Sequence, residues 1–277
     1  MSAESLFALH LTRGQRVLSA LRIAINRNPG VPTTHFPMKQ DAGTPTTARF
    51  PTGIRKLDRM TGGGYGVTVI SGAPKMGKSF AAVACALEAA AEGIRVIYLN
   101  AEMPIEQTAA RFGRYLRAFP RVDVSPRALA VLDVVQPLSA SGLVNELENI
   151  ILDYSDERIL LVIDSVNSLV RNLGGDQLAK IESVLMFLIR ARRLAPNDFS
   201  ALAVCELNQR GHVKGLSAEY LADLLVRLRR TEQPGAQGVE IDVQLSRESQ
   251  SGPIGRHLLD PTRGCFLCAT GDVEDRG

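Results

Sequence analysis

Val67-Thr-Val-Ile-Ser-Gly72-Ala-Pro-Lys-Met-Gly77-Lys78-Ser79 decides how this chain is read. A short β-branched run ends in a serine and a glycine. A loop then closes with Gly-Lys-Ser and opens a helix. This is the Walker A pattern in the strand–loop–helix setting that it needs. Glycines let backbone N–H groups turn inward around a phosphate, and the following helix points its positive dipole end at the same anion. The expected cradle is Gly72, Ala73, Pro74, Lys75, Met76, Gly77, Lys78, Ser79 and Phe80. Lys78 can reach the outer phosphates, and the Ser79 hydroxyl is placed to ligate Mg²⁺. The stretch implies binding of ATP with Mg²⁺.

Length and composition bound the rest. With 277 residues, 45% hydrophobic and 22% charged, the chain has ample material for one ordinary domain plus an extension. A net charge of +3 means that any surface for nucleic acid must be local. No apolar run is long enough to span a bilayer, and Met1-Ser-Ala-Glu-Ser5 lacks a basic segment followed by an apolar one. A cytoplasmic protein without a membrane partner is expected. Cys85 and Cys205 fall in predicted core elements, which suits reduced thiols. Cys265 and Cys268 have metal-ligand spacing, but no second pair completes a zinc site, and a terminal strand is the expectation.

Taken in order, residues 4–26 carry loosely helical apolar spacing, and 28–52 read as a linker rich in Pro, Gly and Thr. This divides the chain into an N-terminal segment, 1–49, and an α/β ATPase domain, 50–277. Buried strands are expected at 67–71, 95–99, 129–135, 159–163 and 201–205. Helices are expected over 79–92, from Pro104 to about 119, over 141–152 and over 176–194. Alternation of this kind means a mostly parallel central sheet flanked by helices. Strands at 224–230, 239–246, 256–260 and 265–268 follow without helices, so an antiparallel C-terminal extension is expected, with a hairpin turn at Pro261-Thr-Arg-Gly264.

Ligands in such sheets sit outside the carboxyl ends of the strands. Asp164, after an apolar strand, has the Walker B placement and is a candidate Mg²⁺ holder beside Ser79. Glu102, just past another strand, is a candidate base for the attacking water. Each alone could be a solvated loop acid; beside a phosphate loop they gain meaning together.

The stretches Pro51-Thr-Gly-Ile-Arg-Lys-Leu-Asp-Arg-Met-Thr-Gly-Gly-Gly64, Gly72 to Ser79 and Leu99-Asn-Ala-Glu-Met-Pro104 resemble the RecA-like core of the DnaB-type helicase and RadA/Sms family over about residues 50–268. The resemblance implies that Glu102 activates water and that Asp164 is the Walker B acid. It also implies a ring, typically a hexamer, or a filament with ATP between subunits, and an arginine finger donated by the neighbour. Arg247 is the expected finger, with Arg256 as the alternative and a plain surface arginine as the bland reading. The family's sensor strand ends Ser-Gln-Leu-Asn, whereas here it reads Cys205-Glu206-Leu207-Asn208-Gln209. Glu206 stands where glutamine is usual, and Asn208 or Gln209 is a candidate for the sensing role. RadA/Sms proteins begin with a zinc finger and DnaB helicases with a helical collar. This chain reads as close to the motor domain alone.

Two glycine-containing basic loops at strand ends, 170–175 with Arg171 and 209–215 with Arg210, His212 and Lys214, are candidates for the DNA path. Neither has an aromatic residue for stacking. The leading expectation is therefore an oligomeric ATPase that moves or remodels single-stranded DNA in replication, recombination or repair. The alternative is a regulatory or assembly ATPase of the KaiC and RadA branches with a protein partner, which low net charge and Glu206 favour. A small-molecule kinase is weaker, since no lid or acceptor pocket is recognisable.

Overall fold

The computed structural model describes residues 48–125, 127–134, 149, 157–171, 177–195, 198–207, 213, 221–231 and 238–268. The one or two helices expected over 4–26, the linker and almost all of 141–152 lie outside them. In chain order the elements are β1 (Arg49–Phe50), α1 (Arg55–Thr61), β2 (Gly64–Tyr65), β3 (Val67–Gly72) and α2 (Lys78–Ala91). Next come β4 (Arg95–Asn100), α3 (Ile105–Ala118), β5 (Leu129–Asp133), β6 (Ile159–Asp164), α4 (Val166–Arg171) and α5 (Gln177–Leu194). The chain closes with β7 (Phe199–Glu206), β8 (Leu224–Arg230), β9 (Gly238–Ser246), β10 (Gly252–Asp260) and β11 (Cys265–Cys268).

Nine strands form one sheet in the order β11-β10-β9-β8-β3-β7-β6-β4-β5. The six from β8 to β5 run parallel, and β9, β10 and β11 continue antiparallel. The antiparallel part therefore starts at β9, one strand later than the loss of helices after residue 223 suggests. The strands are apolar on both faces because both are covered. Val96, Tyr98, Leu160, Val162, Leu202 and Val204 point into a core shared with α2 and α3. Their neighbours Ile97, Leu99, Leu161, Ile163, Ala201 and Ala203 point into a second core under α4 and α5. The period of two along each strand distributes them. Helix α2 is buried on most sides, and its alanines 81, 82, 84, 86, 89 and 90 let it lie close to the sheet.

Three features differ from the sequence reading. α1 and the β1–β2 pair occupy a stretch without strong periodicity. The Thr52 amide and hydroxyl donate to Asp58 Oδ1 at 2.9 and 2.7 Å, and Cys85 Sγ donates to the Thr52 carbonyl at 3.0 Å, which pins this stretch to α2. β10 begins at Gly252 rather than 256, because Gly252 and Pro253 pair with Val243 and Asp242 before a register shift. Third, Val166–Arg171 is helical, so Arg171 ends a helix instead of lying in a loop. The hairpin turn after β10 is held by Asp260, whose Oδ1 accepts the amides of Thr262 and Arg263 at 2.9 and 3.1 Å.

Candidate nucleotide site

The parallel strands bring their carboxyl ends into register. Gly72 is paired with Glu206, and Asn100 with both Asp164 and Asp133. The phosphate loop, Glu102, Asp164 and Glu206 therefore share one edge of the sheet, where a crossover fold offers a ligand crevice.

The loop between β3 and α2 turns sharply, with Lys75 at φ 65° and Gly77 at φ 85°. A Cβ on Gly77 would stand 2.7 Å from the Phe266 ring and 2.9 Å from Leu259, so only glycine fits there. Lys78, only 8% exposed, donates its ammonium to the carbonyls of Gly72 and Ala73 at 3.0 and 2.9 Å. Burial pulls its pKa below the ordinary lysine value, and the carboxylates of Glu102, Glu206 and Asp164 work against that shift. Three acids thus act on this one ammonium.

Asp164 is 2% exposed at the end of β6. Its Oδ1 accepts the Ser79 hydroxyl at 3.2 Å and its Oδ2 accepts the Tyr98 hydroxyl at 2.6 Å. Burial pushes its carboxyl up to about 6, and the Glu102 charge adds to the rise while the two hydroxyls oppose it. Burial also pushes the Tyr98 phenol well up, so it stays a donor. A hydroxyl and a buried carboxylate are hard oxygen donors, the set that Mg²⁺ prefers, and a cation would relieve the cost of the buried charge. Ser79 and Asp164 could hold Mg²⁺.

Glu102 is exposed, just past β4. Its turn is built by Asn100, whose Nδ2 donates to the Met103 carbonyl and to Asp133 Oδ1, both at 2.7 Å. Thr108 Oγ1 donates to Asn100 Oδ1 at 3.0 Å, and the Ala101 amide donates to the Asp164 carbonyl at 2.8 Å. Glu102 is thus on a turn locked to the Walker B strand. Asn100, Thr108 and Tyr98 have no motif of their own. The only sequence signal was an asparagine closing an apolar strand just before Glu102.

The Glu206 amide donates to Asn167 Oδ1 at 2.7 Å, and its carboxylate lies 3.8 Å from Arg171 Nη2. Arg171, expected on a DNA loop, therefore pairs with the acid at the sensor position. Arg210, His212 and Lys214, with Asn208 and Gln209, lie outside the described residues.

Arg247 is at the opposite edge. Its Nε donates to the Ala222 carbonyl at 3.0 Å and lies 3.8 Å from Asp223 Oδ1. Asp223 accepts the Val67 amide at the start of β3, whereas the phosphate loop follows its end. Six strand residues at about 3.3 Å each separate Arg247 from its own loop. Arg256 is exposed on β10, opposite Glu240. The register puts Arg256 level with the carboxyl end of β3, three strands away, whereas Arg247 lies at the other end of the strands.

A family profile described as "ATPase: KaiC" matches residues 50–253. The DNA repair protein RadA of Mycolicibacterium smegmatis is 32% identical over 141 residues, which cover 44% of this chain and 29% of that protein. A structure of a DnaB-like replicative helicase studied with primase superposes with a TM-score of 0.63 at 19% identity, over 81% of this chain and 62% of that one. A KaiC-like protein of the hyperthermophilic archaeon Pyrococcus horikoshii superposes with a TM-score of 0.62 at 15% identity, over 80% of this chain and 99% of that one. The chain spans less than two thirds of the RadA and DnaB-like relatives. With the profile covering most of its length, the chain belongs to the KaiC ATPase family and has the RecA-like P-loop fold.

Proposed function

We propose that this protein hydrolyses ATP between the subunits of an oligomer and couples the cycle to single-stranded DNA, as expected of a replication, recombination or repair factor. The observation that carries this reading is the convergence of Lys78, Ser79, Asp164, Glu102 and Glu206 at one sheet edge, with Arg171 tied to Glu206.

The roles follow from the chemistry. Incoming phosphates take over the Lys78 ammonium from the Gly72 and Ala73 carbonyls, and loop amides with the α2 amino end hold the remaining charge. Ser79 and Asp164 would hold Mg²⁺, which would supply positive charge against the outer phosphates. Glu102 orients the attacking water and accepts its proton. Arg247, exposed at the far edge, is suited to complete a neighbouring copy's site. Arg171 supplies coupling. A phosphate of the strand competes with Glu206 for its guanidinium, and Glu206 is one of the acids acting on Lys78.

Paired measurements of nucleotide binding and turnover test this. Lys78→Ala loses tight ATP binding. Glu102→Gln keeps binding and loses turnover by about 10²- to 10⁴-fold. Arg171→Ala keeps turnover without DNA and loses its stimulation by oligo-dT. A Glu102→Gln variant with full turnover would remove the base assignment.

A second reading, an assembly or regulatory ATPase with a protein partner, is supported by the Arg171–Glu206 pair itself, since that cation already has an intramolecular partner. On that reading oligo-dT changes neither binding nor turnover, and a partner protein does.

A further inference from the structure

A shallow cleft, about 90 Å³, opens between α1, the segment after α3 and the β10–β11 turn. Its walls carry Arg55, Lys56, Arg59, Arg121 and Arg263, contributed by three separate parts of the chain. No carboxylate is among the described residues that line it. Five cations on one face of a molecule whose net charge is +3 make a concentrated local field. Acids lie just outside the lining, among them Asp58 of α1, Glu88 and Glu92. Glu88 Oε1 is 3.5 Å from Arg121 Nη2 and accepts the Tyr115 hydroxyl at 2.8 Å, and Asp260 Oδ2 is 3.6 Å from Arg263 Nε. Arg121 and Arg263 are 53% and 59% exposed, so these pairs are weak tethers that an incoming phosphate can displace.

The floor is aromatic. Phe119 packs on Tyr115 with ring centroids 4.6 Å apart, and Phe266 faces the same space. Both phenylalanines are partly exposed. Exposed guanidinium groups around stacking surfaces are what a single strand needs, with phosphates held at the rim and bases on the floor. The cleft is distinct from the phosphate loop. Gly53 of its lining packs against Ala84 of α2, six residues and about 9 Å along the helix from Lys78. Phe266 links the two places, since one side of it faces the cleft and its ring edge closes on Gly77.

We infer that this cleft is a second contact for single-stranded nucleic acid, on the outer face of the domain, with Arg59, Arg121 and Arg263 on the backbone and Phe119 and Phe266 under the bases. The inference rests on the reading that single-stranded DNA is the substrate. Its consequence is that strand occupancy reaches the phosphate loop through Phe266.

The test is anisotropy of labelled oligo-dT on the full chain across a salt series, with wild type against the triple variant Arg59→Ala, Arg121→Ala, Arg263→Ala. The expected result is a loss of about tenfold or more at low salt and a salt slope shallower by about 2, while turnover without DNA is unchanged. Photo-crosslinking of thio-substituted oligo-dT should label the peptides holding Phe119 and Phe266. If wild type binds and the triple variant binds equally with the same slope, the cleft is not a strand contact and the substrate reading stands. If wild type fails to bind oligo-dT at low salt, the substrate reading falls and this inference with it. Cleft-dependent binding of polyglutamate in that case would assign the cleft to an acidic protein segment instead.

Discussion

Asp164 is held at a cost in the absence of a cation. A buried carboxyl raised from the ordinary aspartate range to about 6 destabilises the folded state at neutral pH by about 3 kcal/mol. The folded pKa lies above the unfolded one. The favourable contribution is therefore complete below about pH 4 and is lost as pH rises through about 6. Asp164→Asn, which keeps an acceptor for one hydroxyl and a donor for the other, should remove this dependence. Measured with EDTA, the melting temperature of the variant relative to wild type is expected to climb between pH 4 and 7, while turnover is abolished. A difference that stays flat with pH would mean that Asp164 is not stabilised by protonation. Asn100 is the second residue to test. It is 1% exposed and makes three side-chain hydrogen bonds that build the Glu102 turn. Asn100→Ala should destabilise by about 1–3 kcal/mol and lower turnover more than ATP affinity. Unchanged turnover would detach Glu102 from that scaffold.

At the scale of elements, the site is where strong local pattern meets the sheet edge. β3, β4, β6 and β7 were legible because each is a short apolar run, and their carboxyl ends carry Gly72, Glu102, Asp164 and Glu206 at or just past the last strand residue. α1 and α4 were not. They have seven and six residues, too few turns for periodicity to register, and they hold their place by tertiary bonds such as Thr52 to Asp58 and Asn167 to the Glu206 amide. Missing α4 put Arg171 in a loop, and its pairing with Glu206 could not be read from two residues so far apart in the chain. Packing beneath the site is equally non-local. Phe112 of α3 is fully buried and meets the Tyr98 ring edge-on at 5.2 Å, behind the hydroxyl that Asp164 accepts. Phe112→Ala should cost about 3–5 kcal/mol, and Phe112→Leu clearly less. Equal melting temperatures for the two variants would contradict that packing role.

For the whole molecule, charged groups gather at both edges of the sheet. The carboxyl edge holds the phosphate loop and its acids. The amino edge holds a polar network in which Asp223 meets Arg192 and Arg247, and Glu248 meets Arg49 and Arg192. Gly66 is required there, since its φ is +51° and a Cβ would come within 2.3 Å of Asp223 Oδ2. A subunit with its acids at one edge and an exposed arginine at the other can complete its site by stacking head to tail with a copy of itself. A mixing experiment checks this. Arg247→Ala and Glu102→Gln proteins, each inactive alone, should regain partial turnover when combined, because some interfaces then pair an intact acid with an intact arginine. Activity no greater than the sum of the two would place Arg247 outside the site. That the chain is an ATPase of this family was readable from a few contiguous motifs. The position of Arg247 at the amino edge was not, because it depends on the direction of β3 relative to β8 and β9.

On the proposed function, hydrolysis at the Lys78–Asp164–Glu102 site is coupled to a single strand. The most direct measurement is ATP turnover by the purified chain with and without oligo-dT, from low to high salt. Stimulation is expected at low salt and fades as salt rises, as phosphate contacts are screened. Turnover indifferent to oligo-dT at low salt, with no binding of the strand, would contradict it and turn the search to a protein partner.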